Sequence, residues 1–260
     1  MGATPVKARF RRVEIKTPGE LKYRPVRAGL SQAENYFKGA IMGKEEDIKT
    51  GISRIIIEGA RERHAEAIDK AYEYFWDSNQ PDEFLSGTAL ALGFLNFEEW
   101  FVYDYKANEL GETFLDLYAK DNQCLSAEES SVISKMKDSV LSLYEVASIS
   151  KDKRVLLKDL LLEEEVSLRE KSLTRGLKKG DIFAARILQL DGKEVMSGSV
   201  YPYLQPQKKR VLGYVEKQYA RYRRHVRPEG TMREYLKQYG DIFNLVWMQL
   251  IADQAGKEAQ

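Results

Sequence analysis

The chain is poor in the residues on which metal and thiol chemistry depend. It holds one cysteine, Cys124, and two histidines, His64 and His225, among 260 residues. A single cysteine excludes an internal disulfide and suits a reducing compartment. The two histidines stand alone, with no Cys–Cys or His–Glu spacing around them, so zinc has no ligand set. For Cys124 to act as a nucleophile, the fold would have to bring it a histidine. No apolar run approaches the roughly 20 residues that span a bilayer. The first ten residues lack the apolar core of a signal peptide, and Val6 stands where myristoylation wants Ser or Thr. The formal net charge is only +1, so nothing pulls the whole chain toward nucleic acid or membranes. A phosphate loop is missing too, because Gly176-x-x-x-Gly180-Asp181 lacks the Lys-Ser/Thr such a loop requires. No catalytic residue, metal ligand or cofactor motif is identified, and a cytoplasmic location is expected.

What is present is an ordinary globular composition, 43% hydrophobic and 31% charged, with charge concentrated locally. Residues 1–30 carry eight Lys/Arg against Glu14 and Glu20, together with Pro5, Pro18 and Pro25. This segment reads as a basic extended arm. It either wraps over an acidic surface of its own chain, anchored by Phe10, Val13, Ile15 and Leu21, or touches nucleic acid or an acidic partner.

Helical patterns fill residues 31–140. Ser31 with Glu34 forms a capping box, and Gly39, Gly43 and Gly51 predict a break near Gly43. A second helix carries Ile68, Ala71, Tyr72 and Phe75. Pro81 suits the first position of a third, which runs through Leu85 and Leu92 into Phe97–Tyr105. Ser126 with Glu129 opens a fourth, bearing Val132, Ile133 and Met136.

Residues 141–205 are the β-rich part. Short runs at 142–146, 154–160 and 165–169 precede a hairpin around Asp191-Gly192, a pair that favours a two-residue type I′ turn. With that turn Leu190 pairs with Lys193. Phe183, Ala185, Ile187, Met196, Gly198 and Val200 then share a face, expected to be the core face. Arg186, Ser197 and Ser199 fall on the other face with Ile182 and Leu188. About five strands in some sixty residues suit a small, strongly bent antiparallel barrel or half-barrel; a meander packed on helices is the alternative. Helices return over 206–260, one with Val211, Val215, Tyr219 and Tyr222, and one that Thr231 and Glu234 cap.

Two stretches are candidate binding surfaces. Between 208 and 227 lie Lys208, Lys209, Arg210, Lys217, Arg221, Arg223, Arg224 and Arg227, with Tyr222 among them and Glu216 as the sole acid. Such a strip can hold phosphates while tyrosine stacks on bases, or it can be a solvated helix face. The aromatic block with Trp100, Phe101, Tyr103 and Tyr105 can be a stacking or peptide-binding patch, or a core block with polar tips. Glu98–Glu99 and Glu163–Glu165 read as solvated surface.

Trp100-Phe101-x-Tyr103-Asp104-Tyr105, Leu143-Tyr144-Glu145-Val146, Lys158-Asp159-Leu160-Leu161 and Leu177-x-x-Gly180-Asp181-x-x-x-Ala185-Arg186 resemble an uncharacterised group of bacterial proteins. Some of that group carry a C-terminal cysteine-rich SEC-C zinc motif. The likeness spans residues 97–203. The C-terminus here has no cysteine pair, so a zinc-dependent role does not carry over, and the resemblance implies a bacterial cytoplasmic accessory protein without assigning a catalytic residue.

The reading is therefore α+β: N-terminal helices, a central small antiparallel β unit and C-terminal helices packing on the rest. A non-enzymatic binding or accessory protein is expected, with a protein partner ahead of nucleic acid. The competing class is an enzyme whose residues converge only in three dimensions.

Overall fold

The computed structural model describes residues 43–258, with side chains described through Asp253. The basic arm at 1–30 and the Ser31–Glu34 cap lie outside the described residues. Helix α1 (Lys44–Arg63) begins directly after Gly43, and α2 (Ala65–Phe75) follows at once. Pro81 opens only a 3-10 turn, Pro81–Glu83, and not the long helix expected there. The reason is local: Leu85 buries its side chain and Gly87 takes a φ of +54°, so the chain turns before α3 (Gly87–Tyr103) starts.

Helix α4 (Phe114–Asp121) was not expected from the sequence, although Thr113 and Asp116 form a full capping box at its start. The Ser126–Glu129 box opens α5 (Ala127–Asp138) as the spacing predicted.

Five strands follow: β1 (Leu141–Ser150), β2 (Arg154–Asp159), β3 (Glu165–Leu168), β4 (Ile182–Leu190) and β5 (Lys193–Tyr203). A single helical turn, α6 (Leu173–Gly176), sits between β3 and β4. The chain closes with α7 (Lys208–His225), α8 (Met232–Gln238) and α9 (Ile242–Glu258). Thr231 and Glu234 box α8 as expected, and the chain turns through Tyr239–Asp241 before α9. The fold is α+β.

The strands form one antiparallel sheet in the order β3-β2-β1-β4-β5. It is open, so of the barrel, half-barrel and meander that the sequence suits, the closed barrel is ruled out. The sheet does coil far enough for its edges to approach, and Ser167 N–H of β3 donates to the Glu194 carboxylate of β5. Two features keep the barrel from closing. Strand β3 has only four residues. The free edge of β5 is taken by α3: Asn96 accepts from Val200 N–H at 2.8 Å and donates to Val200 C=O at 2.9 Å, as a neighbouring strand would. The β5 edge also bulges there, because only Arg186 separates Ala185 from Ile187 while three residues separate their partners Val200 and Met196. Such covering is a common way to blunt an edge strand.

Both faces of the sheet are buried. Leu141, Leu143, Ile182, Ala184, Leu188, Tyr201 and Tyr203 face the helices and join the main core. Tyr144, Val146, Val155, Leu157, Val166, Leu168, Phe183 and Ala185 fill the inside of the coil as a second core. The hairpin side chains expected to share a face do so, yet theirs is the inner core, and the main core lies on the side where Arg186 stands. Pleat parity is local, but which side the helices cover is not.

The Asp191-Gly192 turn forms as predicted, with φ values of +50° and +67° and Leu190 paired with Lys193. It also caps α1. The Asp191 carboxylate accepts from Glu45 N–H at 3.1 and 3.2 Å, and Glu45 accepts in return from Asp191 N–H. Gly43 makes room for this, since a Cβ there would sit 2.0 Å from Asp191 Oδ2.

Gly192→Val puts a β-branched residue at positive φ and should cost about 1–3 kcal/mol. Asp191→Ala removes the cap on α1 and should cost about 1 kcal/mol. Urea unfolding measures both. A midpoint unchanged by either substitution would contradict the coupling of turn and helix.

Candidate functional site

Helix α7 turns Val211, Val215, Gln218 and Tyr222 inward, a spacing of four, three and four residues that marks one helical stripe. The basic residues take the other sides. Four of them are engaged: Lys208 with Glu145 at 2.8 Å, Arg210 with Asp253, Arg227 with Glu234 at 2.9 Å, and Arg223 through Nε with Pro228 C=O at 2.9 Å. Among the described residues Arg221 reaches only the Gln218 side chain. Lys209, Lys217 and Arg224 are exposed and make no hydrogen bond or ion pair among the described residues. The first turn of α7 has no acidic side chain, so its cations add to the positive end of the helix dipole.

Tyr222 does not join this surface. It is 4% exposed and packs against Tyr235 and Tyr239, at 5.5 and 5.9 Å between ring centroids. Tyr219 is tied to Gly230 C=O at 2.9 Å. The stacking role expected of Tyr222 is therefore corrected to packing, because its position falls on the same stripe as Val211 and Val215.

The aromatic block is also core. Trp100, Phe101 and Tyr103 are buried and Tyr105 is half-buried, among Phe75, Phe97 and Phe114. Tyr74 stacks flat on Trp100 at 5.7 Å. Helix α3 runs between the sheet and the other N-terminal helices, so Trp100, Phe101 and Tyr103 serve packing among the described residues and only Tyr105 keeps part of its surface open.

A group that sequence reasoning missed lies where α3 meets β4. Arg186 is 1% exposed. Its Nε donates to Glu99 at 2.9 Å, its Nη1 to Ser139 C=O at 2.8 Å, and its Nη2 to Asp104. The guanidinium also lies over the Tyr103 ring, 4.5 Å from its centroid. Burial opposes the Arg186 charge, but Asp104 and Glu99 more than restore it, so its pKa is raised. Glu99 uses its second oxygen to accept from Ser199 N–H at 3.1 Å. Lys237 of α8 stands 3.6 Å from Asp104 and donates to Ser139 C=O at 3.2 Å. Burial pulls the Lys237 ammonium down to about 8; Asp104 opposes that, and the Arg186 charge adds to it. Lys49 of α1, also lowered by burial, donates to Ser197 C=O on the β5 bulge. Every donor nitrogen of Arg186 is satisfied, so the group joins α3, α5, β4 and α8 and leaves none of those nitrogens free for a ligand. Its one sequence signal was Arg186 on a strand face beside Ile182 and Leu188.

More than half of the chain, residues 94–239, matches the model of a family of unknown function, DUF7986. The chain belongs to that family. The DUF7986 span runs from within α3 to the end of α8. It therefore takes in Glu99, Asp104, Ser139, Arg186 and Lys237 and leaves out Lys49. It also holds the whole sheet and α7. No curated protein and no solved structure matches the chain.

Elsewhere, Cys124 is exposed in an open depression of about 420 Å³ on the α4–α5 connection, with Tyr118, Asp121 and Glu129; neither histidine lines it. No helix among the described residues is long and apolar enough to cross a membrane. Asp241, at the start of α9, is buried and accepts from the Tyr74 hydroxyl at 2.9 Å. Burial raises its pKa from 3.8 to about 6, against the Tyr74 hydrogen bond and with help from the Asp104 charge.

Arg186→Ala leaves two carboxylates buried against the sheet and should cost about 3–5 kcal/mol in denaturant unfolding. Arg186→Lys should recover little of this, because one ammonium cannot span three acceptors. A midpoint within error of wild type would show the network to be dispensable.

Asp241 gives a pH effect of defined sign. Between 3.8 and about 6 the folded state holds a proton that the unfolded state has released. Its contribution therefore falls as pH rises through that window. Relative to Asp241→Asn, the wild-type protein should lose stability on going from below 3.8 to above 6. Parallel pH profiles for the two proteins would refute the assignment.

Proposed function

We propose that this DUF7986 member is a non-enzymatic binding protein that takes an acidic partner on the outer face of α7, a protein segment ahead of nucleic acid. The carrying observation is that Lys209, Lys217 and Arg224 stand exposed beside Arg221 on one helix, without an ion pair among the described residues. Lys217, Arg221 and Arg224 follow each other by four and three residues, which aligns them along one face. Exposed cations in a row steer an acidic surface toward the helix and set its register, which is the main work of charge at a rim.

The inward turn of Tyr222 and the tethering of Tyr219 support carboxylates over stacked bases, since single-strand binding draws much of its strength from aromatic platforms. Duplex nucleic acid, held by phosphate contacts alone, is the second reading, and the same line of cations supports it. An accessory role in a reducing cytoplasm, as the resemblance to an uncharacterised bacterial group implies, belongs to this proposal. It rests on the single cysteine and on the short motifs between 97 and 203.

Fluorescence anisotropy with a labelled polyglutamate peptide, a DNA duplex and a single strand tests the proposal. The peptide should bind at low salt and weaken as salt rises. Arg221→Glu with Arg224→Glu should weaken it by about tenfold or more, a typical effect of reversing two contacting charges. Binding to the duplex but not to the peptide would transfer the site to nucleic acid. Binding to none of the three would end both readings.

A further inference from the structure

Two basic segments that lie far apart in the sequence meet at one end of the sheet. The ladder aligns Glu145 of β1 with Ile182 of β4, and Ile182 with Tyr203 of β5. Just beyond that row, the loop before β4 presents Lys178 and Lys179, and β5 runs on into Leu204. The two chains touch, because Gly180 faces the Gln205 side chain closely enough that a Cβ would lie 2.1 Å from its Nε2. From the same corner α7 sets out with Lys208, which reaches back to Glu145 at 2.8 Å, and with Lys209.

Acids at this corner are already engaged. Glu145 holds Lys208, and Asp181 accepts from Lys178 N–H at 2.7 Å. The ammonium groups of Lys178, Lys179 and Lys209 are left without partners among the described residues. Next to Gln205 at this corner, Leu204 is 58% exposed. An exposed leucine gains nothing from water, and cations at the same corner disfavour an apolar surface that brings no carboxylates of its own.

We infer that this corner is a second contact of the binding surface, taking a protein segment that carries an apolar side chain flanked by carboxylates. The inference rests on the acidic-partner reading and extends it: α7 supplies the charged rim, and Leu204 supplies the apolar anchor at its start. An apolar centre with a charged rim is the usual anatomy of a protein contact. Phosphates alone would leave Leu204 wet. A bilayer would bury it, but one leucine is a small anchor beside the acyl chains that membrane binding normally needs.

Two labelled peptides test this with the full-length chain: a run of glutamates with one central phenylalanine, and the same run with serine at the centre. The phenylalanine peptide should bind about tenfold more tightly, the worth of one buried apolar contact. Leu204→Ser should abolish that difference, and Lys178→Glu with Lys179→Glu should weaken both peptides. These residues are exposed, so unchanged thermal melting of the variants is expected and serves as the folding control. Equal affinity for the two peptides, or a difference that survives Leu204→Ser, overturns the inference. Should Arg221→Glu with Arg224→Glu abolish binding while the loop variants bind as wild type does, the inference fails and the α7 reading stands. Binding to phosphatidylserine vesicles that needs Leu204, with no preference between the peptides, assigns the corner to a lipid surface and likewise overturns it. Failure of both peptides to bind the wild-type protein ends the inference and the α7 reading together.

Discussion

A buried guanidinium destabilises a fold unless its donors find acceptors, and Arg186 draws those acceptors from two separate helical segments. Glu99 and Asp104 come from the C-terminal half of α3 and its cap, and Ser139 from the end of α5. Lys237 of α8 then balances Asp104 from the other side. Ions out of water tolerate little misplacement, because attraction repays desolvation only at close range and good geometry. Three helices must therefore meet β4 at one place for any of them to pack well. The surrounding aromatic core supplies most of the burial, while the charges set where the helices sit on the sheet.

The same meeting place explains the form of the sheet. With Asn96 and Glu99 bonded to Val200 and Ser199, the β5 edge is occupied by a helix where a closing strand would otherwise lie. The sheet responds by coiling around its second core, and its far edge reaches β5, where Ser167 N–H donates to Glu194. Helices cover the outside of the coil, and α7 leaves from its end. The exposed basic face is thus carried by an element tied to the sheet through the turn at 204–207 and through the Lys208–Glu145 pair.

Charged residues serve opposite ends in these two places. Around Arg186 they are dry, paired and bound to the backbone, so their value lies in position. Along α7 they are hydrated and partly unpaired. There they contribute little to stability, since even a formed surface pair is worth about 1 kcal/mol or less, and remain available to a partner. Burial, not residue type, separates the two roles.

Sequence alone determined the features that depend on residues within one turn or one hairpin. The Ser126–Glu129 and Thr231–Glu234 boxes mark real helix starts, and Asp191-Gly192 sets the β4–β5 register through its positive φ values. Capping and turn formation involve neighbours three or four residues apart, so their geometry is written in short spacings. Tertiary structure alone decided which side of the hairpin the helices cover and why Arg186 is dry. It also turned Tyr222 inward and brought the loop with Lys178 and Lys179 up to Gln205. Those outcomes come from surfaces pressed together by residues well separated in the sequence, 104 positions apart for Asn96 and Val200 and 148 for Lys49 and Ser197, with no fixed period. The preference of any one residue for them is small beside the sum of contacts that the whole core makes.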